Sequence, residues 1–382
     1  MTNILNISFK QFFTVTLFCL TVSMSYMASA QVVKDPPLIH AGKTNLIDSE
    51  YEQAIIKFSE YLKVFGYSSE AYYWRAHALL QLDRIDDAMI DLNLVLDRNP
   101  KDSRAMDALG YANNQKGNYL TAIKWFNKAI EENNKNAIIY NNRGMSYYYL
   151  EKYNTAFYDF DKAVFLDSTF AEAYSNRGSA RYNRQDIKKA SQLDLERAEK
   201  DYTTALQYDP LLISAYRNRG LVRYEMGKFR ESFVDLQKAI YLDPTDPLIY
   251  FHMANLMLAK EQYEDAITYF NESLKLNSEQ LDILYKRAAT YEILKNYPLA
   301  RYDYEVIIQL AHEETNKCYY HIARTYALEN DSQHAYYYLN QARKDGLFKN
   351  STYRSKIFSD NAFSPYWQED NFTKLKEKIE KM

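Results

Sequence analysis

A small residue returns at nearly constant spacing along this 382-residue chain. Ala54, Ala88, Ala122, Ala156, Ala198, Ser232, Ala266, Ala300 and Ala335 stand 34, 34, 34, 42, 34, 34, 34 and 35 residues apart. Twelve residues before an anchor comes a second small residue: Gly42, Ala76, Gly110, Gly144, Gly220, Ala254, Ala288 and Ala323. The fifth copy departs from this offset, because Gly178 lies 20 residues before Ala198, so eight residues are inserted there. Four residues after the anchors stand Phe58, Leu92, Phe126, Phe160, Tyr202, Leu236, Phe270, Tyr304 and Leu339, and Pro100, Pro210 and Pro244 close three of the units. A fixed period of roughly 20–50 residues signals a stacked array, in which each unit touches only its neighbours. A chain this long would otherwise need two or three separate cores.

Repeat four carries the pattern most fully, with Tyr140, Gly144, Tyr147, Tyr153, Ala156, Phe160 and Ala163. It resembles the tetratricopeptide repeat (TPR), a helix-turn-helix unit with a W-L-G-Y…A…F…A…P skeleton. The resemblance covers about residues 35–349, nine units. It implies an all-α fold, a right-handed superhelical solenoid. The physics agrees: small residues let two helices approach, and aromatic rings fill the space around them. One hairpin cannot bury its apolar stripe alone, and stacking makes a continuous core. Repeats one and nine match least well, as end units with one solvent-facing side should. Tyrosine, at 37 residues, is the compositional outlier. Tyr51, Tyr119, Tyr153, Tyr263 and Tyr297 share one repeat position and Tyr72, Tyr140, Tyr174, Tyr216 and Tyr250 another, so both sets read as packing.

The two ends fall outside the period. Residues 1–30 hold one charge, Lys10, then an apolar run from Phe12 and the small-residue sequence Ala28-Ser29-Ala30. That layout predicts a signal peptide cleaved after Ala30, resembles bacterial export signals, and implies a periplasmic or secreted protein. An uncleaved anchor is the alternative, weakened by the Thr and Ser residues in the span. Export would leave one cysteine, Cys318, which cannot form an internal disulfide and reads as a core residue. The insertion near 190–198 lies in the charged stretch Lys188–Lys200, and eight residues make about two helical turns, so a longer helix at one edge is expected. Residues 350–382 form a closing segment. Within it Phe372, Leu375 and Ile379 lie on one helical stripe, with Asp370 ahead and Lys374, Lys376 and Lys378 behind, which predicts an amphipathic cap for the last repeat.

Nine internal copies supply their own comparison. The residue before the small position is Arg75, Arg143, Arg177, Arg219 and Arg287 in five repeats. Three residues past the anchor, the same five carry Asp91, Asp159, Asp201, Asp235 and Asp303. Where the first position is Leu109, Met253 or Ile322, the second is Trp125, Tyr269 or Tyr338. The positions switch together, so they are expected to touch as structural, partly buried Arg–carboxylate pairs.

Asn142, Asn176 and Asn218 precede Arg-Gly in three successive repeats. Asn is a poor residue inside a helix, but its amide offers a donor and an acceptor together. First helices stacked about 10 Å apart could place such amides near every third residue of an extended peptide. The arrangement resembles the asparagine ladders of TPR grooves that bind extended peptides irrespective of sequence. Tyr148, Tyr182 and Tyr224 share a later position that in the family faces the concave groove, so the resemblance implies apolar walls there. The competing reading is duplication, with Asn inherited as packing. His252 and Lys286 replace Asn in repeats seven and eight, so any ladder is short.

Catalysis finds no support. His40, His77, His252, His312, His321 and His334 are scattered, Cys318 and His321 alone do not make a metal site, and there is no phosphate loop or nucleophile elbow. A formal charge of −3 without a basic run argues against nucleic acid. The expectation is a non-catalytic interaction scaffold without cofactor or metal. Its partner would be a protein or peptide, with no small-molecule substrate evident and membrane contact only through an envelope partner. The alternative is a structural subunit of an envelope assembly, held through its edge or ends.

Overall fold

The structure, a computed structural model, describes residues 36–184, 191–311 and 315–382. The export segment, residues 188–190 of the charged stretch and His312 lie outside them. Every regular element among the described residues is helical, so the fold is all-α and the repeats are helix pairs. The chain divides into two compact units, one through Val222 and one from Arg223, each considered separately below. In both, the first helix of a repeat packs on the second, and the second on the first helix of the next. Repeat four shows the plan, with Ala137–Tyr149 as its first helix and Tyr153–Leu166 as its second.

The periodic positions are the core. All nine anchors are fully buried, and so are the rings and leucines four residues on. The second small position exists because those rings lie flat against it. A Cβ added to Gly144 would stand 2.7 Å from Cε1 of Phe160, and one on Gly110 would stand 2.5 Å from Phe126. Deleting or enlarging side chains in such a close-packed seam is felt directly.

The turn between the two helices is equally regular, through a device the sequence reading did not use. Five residues before the anchor the backbone is left-handed at Ser49, Asp83, Gly117, Glu151, Gly227, Glu261, Lys295 and Asn330. The next residue donates its N–H five places back, as in Lys152 to Tyr147 at 2.9 Å and Gln262 to Met257 at 2.9 Å. This Schellman closure satisfies carbonyls that the helix end leaves free. Glycine adopts that conformation without strain, and six of the eight positions hold something else. Replacing Glu151, Glu261 or Lys295 by Gly is therefore expected to raise stability by about 0.5–1 kcal/mol each. Urea unfolding would show a higher midpoint at unchanged slope, and a lower midpoint would contradict the assignment.

At the insertion the second helix of repeat five, Gln192–Tyr208, has 17 residues against the 14 of its neighbour Tyr153–Leu166. It opens three residues early, less than one turn rather than the two expected, where the Ser191 hydroxyl accepts the Asp194 N–H at 3.1 Å and caps the helix start. After repeat nine come a short turn, Leu347–Lys349, then helices Ser351–Ser359 and Asp370–Glu380. Phe372, Leu375 and Ile379 are buried with Phe348, Ile357 and Phe363 in one cluster with Tyr320, Ala323 and Leu339 of repeat nine.

Candidate functional site

The arginine of four repeats forks onto its aspartate. Arg143 donates from Nε to Asp159 Oδ2 at 2.8 Å and from Nη2 to Oδ1 at 2.6 Å. Arg75 holds Asp91 at 2.7 Å through both atoms, Arg177 holds Asp201 at 3.1 and 2.6 Å, and Arg287 holds Asp303 at 2.8 and 2.6 Å. The remaining Nη1 reaches the second helix of the preceding repeat, at Ser59, Asn127, Asp161 and Asn271 respectively. One guanidinium thus joins three helices. Its face lies over a tyrosine in Arg75–Tyr72, Arg143–Tyr140 and Arg177–Tyr174, at 5.1–5.5 Å. The fifth expected pair, Arg219 with Asp235, would join the two units. Within its own unit Arg219 donates to Thr203 at 3.1 Å, and Asp235 accepts from Arg223 at 2.8 Å. Burial raises the Asp159 and Asp303 carboxyls above the ordinary range despite their arginines. The pairs tie helices together, and at Asp159 and Asp303 desolvation outweighs the pull of the arginine on the carboxylate.

The three asparagines lie in the first unit, and each turns its amide donor backward onto the preceding repeat. Asn142 Nδ2 donates to Asp107 Oδ1 at 3.1 Å, Asn176 Nδ2 to Asn141 Oδ1 at 2.9 Å, and Asn218 Nδ2 to Ser179 Oγ at 3.2 Å. Two orientations are fixed by chemistry, since the Asp107 carboxylate accepts from Asn142 while Arg217 Nε can only donate to Asn218 Oδ1, at 3.3 Å. This corrects the expectation of amides presenting donor and acceptor together. The donors are spent between repeats, because an amide half-enclosed there would otherwise go unsatisfied. Asn176 is only 4% exposed. What Asn142 retains is an acceptor, Oδ1, which takes no bond among the described residues.

Tyr148 is also corrected. At 8% exposure it forms no groove wall. Its hydroxyl accepts from Asn183 Nδ2 at 2.7 Å, and its ring meets Tyr153 edge-on at 5.1 Å. Tyr182 is half-buried in the same unit, whereas Tyr224 belongs to the second unit, with its ring 6.0 Å from Phe229.

Sequence reasoning missed Asp107, which no motif marks. It sits one residue earlier in its repeat than the asparagines do in theirs, half-buried, and burial pushes its carboxyl up to about 6. In the second unit a different network ties repeats eight and nine to the closing segment. Tyr285 Oη meets His321 Nε2 at 2.8 Å, and His321 Nδ1 meets Glu292 Oε1 at 2.9 Å. Arg324 donates to Glu292 at 2.6 Å and to Asp360 at 3.2 Å, and Asp360 also accepts from Tyr320 at 2.5 Å. Both imidazole nitrogens are engaged, so the network serves as a clasp. Cys318 is buried, and its thiol is pushed up to about 12 by that burial. Among the described residues no group of His, Cys, Asp or Glu is arranged to hold a metal ion, and no helix is long and apolar enough to cross a membrane.

Models of the tetratricopeptide repeat match residues 69–102, 92–137 and 236–268. The chain is a TPR protein. A curated relative, human tetratricopeptide repeat protein 6, is 24% identical over 250 residues, which are 65% of this chain and 40% of the relative. The chain thus spans two fifths of that relative's length. Among solved structures, the human IFIT1 dimer with PPP-AAAA is similar at TM-score 0.56 and 16% identity, over 87% of this chain and 78% of that one. The Cut9 and Hcn1 hetero-tetramer of APC/C is similar at 0.54 and 17%, over 87% and 60%. A tetratricopeptide repeat protein from Parabacteroides merdae is similar at 0.50 and 16%, over 66% and 97%. These likenesses show the TPR fold.

Proposed function

We propose that this TPR protein is a non-catalytic interaction scaffold that holds an extended segment of a partner protein along the first helices of repeats three to six. The observation that carries the reading is the set of polar residues Asp107, Asn142 and Asn218, on the first helices of repeats three, four and six and half-buried in each case. Stacked repeats present extended surfaces suited to long, weakly structured ligands. The reading includes export through residues 1–30, with the repeats acting outside the cytoplasm. A second reading rests on the opposite helices. Ile56, Ile90 and Tyr158, each two residues past an anchor, are exposed in the first unit, and such a row suits a subunit interface.

The test is binding of a labelled, randomised nonapeptide pool by the full chain and by an Asn142→Ala, Asn218→Ala double variant, both shown to be folded by circular dichroism. At least a tenfold loss in the variant is expected, with Ile90→Ser unchanged. Equal binding by all three would remove the asparagine face from consideration.

A further inference from the structure

The proposed peptide face has a charge on it that the chain leaves unbalanced. Asp107 lies on the first helix of repeat three, Ser103–Gln115, and among the described residues its side chain accepts one hydrogen bond, from the neutral Asn142 amide at 3.1 Å. Its second oxygen, Oδ2, accepts nothing among the described residues. The nearest cation along its helix, Arg104, is committed elsewhere: it bonds Asp102 at 3.2 Å and Glu70 at 3.4 Å, with its guanidinium 5.0 Å from the Tyr73 ring centre. His77, on the first helix of repeat two, supplies no charge, because burial lowers it to about 4. Asn142 Oδ1 is open, Asn141 Oδ1 takes the Asn176 amide, and Asn114 Oδ1 takes the Ser146 hydroxyl at 2.8 Å.

A half-buried carboxylate with one neutral partner is costly to keep, since a charge withdrawn from water needs a counter-charge. Elsewhere in this chain the buried aspartates at repeated positions have one: Asp91, Asp159, Asp201 and Asp303 each face an arginine. Asp107 differs in having none. We infer that Asp107, with Asn142 Oδ1 beside it, is the recognition subsite for a cationic side chain, lysine or arginine, of the extended partner segment. The inference rests on the peptide-scaffold reading and adds partner chemistry to it. An ammonium brings three donors to a site with open acceptors, and an arginine brings a fork, so either restores the balance the isolated chain lacks.

The experiment uses the full chain and four labelled nonapeptide pools, randomised except for a central Lys, Arg, Gln or Glu, read by fluorescence polarisation. Asp107→Asn is the variant, because its amide oxygen can still accept from Asn142 and so keeps the local fold. The Lys and Arg pools are expected to bind wild type at least tenfold more tightly than the Gln and Glu pools. In Asp107→Asn that preference should fall to within twofold. Equal binding of the four pools by wild type, or a preference that persists in the variant, overturns the cationic subsite while leaving the scaffold reading standing. If no pool binds wild type, the scaffold reading falls and the subsite falls with it.

Discussion

Replacing Asp159 by Leu should cost on the order of 3 kcal/mol, because it strands the Arg143 guanidinium among three helices. Adding Arg143→Leu should restore most of that loss. The reasoning follows from burial: both Asp159 oxygens are engaged, at 2.6 and 2.8 Å, and the side chain is only 9% exposed. Arg143 keeps 20% exposure, which holds the expected cost to the lower part of the buried-pair range. An apolar pair suits the site equally well, as repeat three demonstrates. There Leu109 and Trp125 occupy the two positions and pack in one cluster. Urea unfolding of wild type, the single and the double variant measures this directly. Equal loss in single and double would mean the arginine is held by Asn127 and Tyr140 rather than by its aspartate.

The second large effect is at the C-terminal end. Phe363→Ala should cost about 3–5 kcal/mol, since the ring is fully enclosed and little around it can collapse inward. Phe363 touches the Tyr320 ring at 5.9 Å and Trp367 at 6.4 Å, so it bridges repeat nine and the closing segment. Its loss should also open the Arg324–Asp360 clasp, leaving the apolar end of the second unit to water. The expected readouts are a lower melting temperature and concentration-dependent association at 25 °C. A change under about 1 kcal/mol would show the closing segment to be an appendage rather than the last layer of the core.

How far the sequence could be read depended on repetition. Ala156 and Phe160 were legible because eight other copies place equivalents at the same offsets, and the Arg–Asp positions were legible because three apolar or aromatic pairs replaced them together. The Schellman turns escaped notice, although they are equally periodic, because Ser49, Asp83, Glu151 and Lys295 share a backbone angle and no side-chain type. The asparagines show the opposite failure. Their spacing was plain, but spacing does not reveal which way an amide turns, and the donors turned inward to Asp107, Asn141 and Ser179. Tyr148 was misplaced for a related reason: its family position suggested a wall, while Asn183 one repeat later draws its hydroxyl into the stack. Asp107 carries no repeat signature at all. It became visible only when the partners of its neighbours were known.

The central claim, that partners meet the first-helix face of the first unit, is tested most directly by label transfer. A photoreactive benzoylphenylalanine replaces the half-buried Tyr182 on the first helix of repeat five or, in a separate protein, Tyr158 on the second helix of repeat four, which is 66% exposed. Both exchanges keep an aromatic ring in place. Irradiation with the central-lysine nonapeptide pool should give a peptide adduct from position 182 and none from position 158. An adduct from 158 alone would contradict the account and move the partner surface to the outer helices.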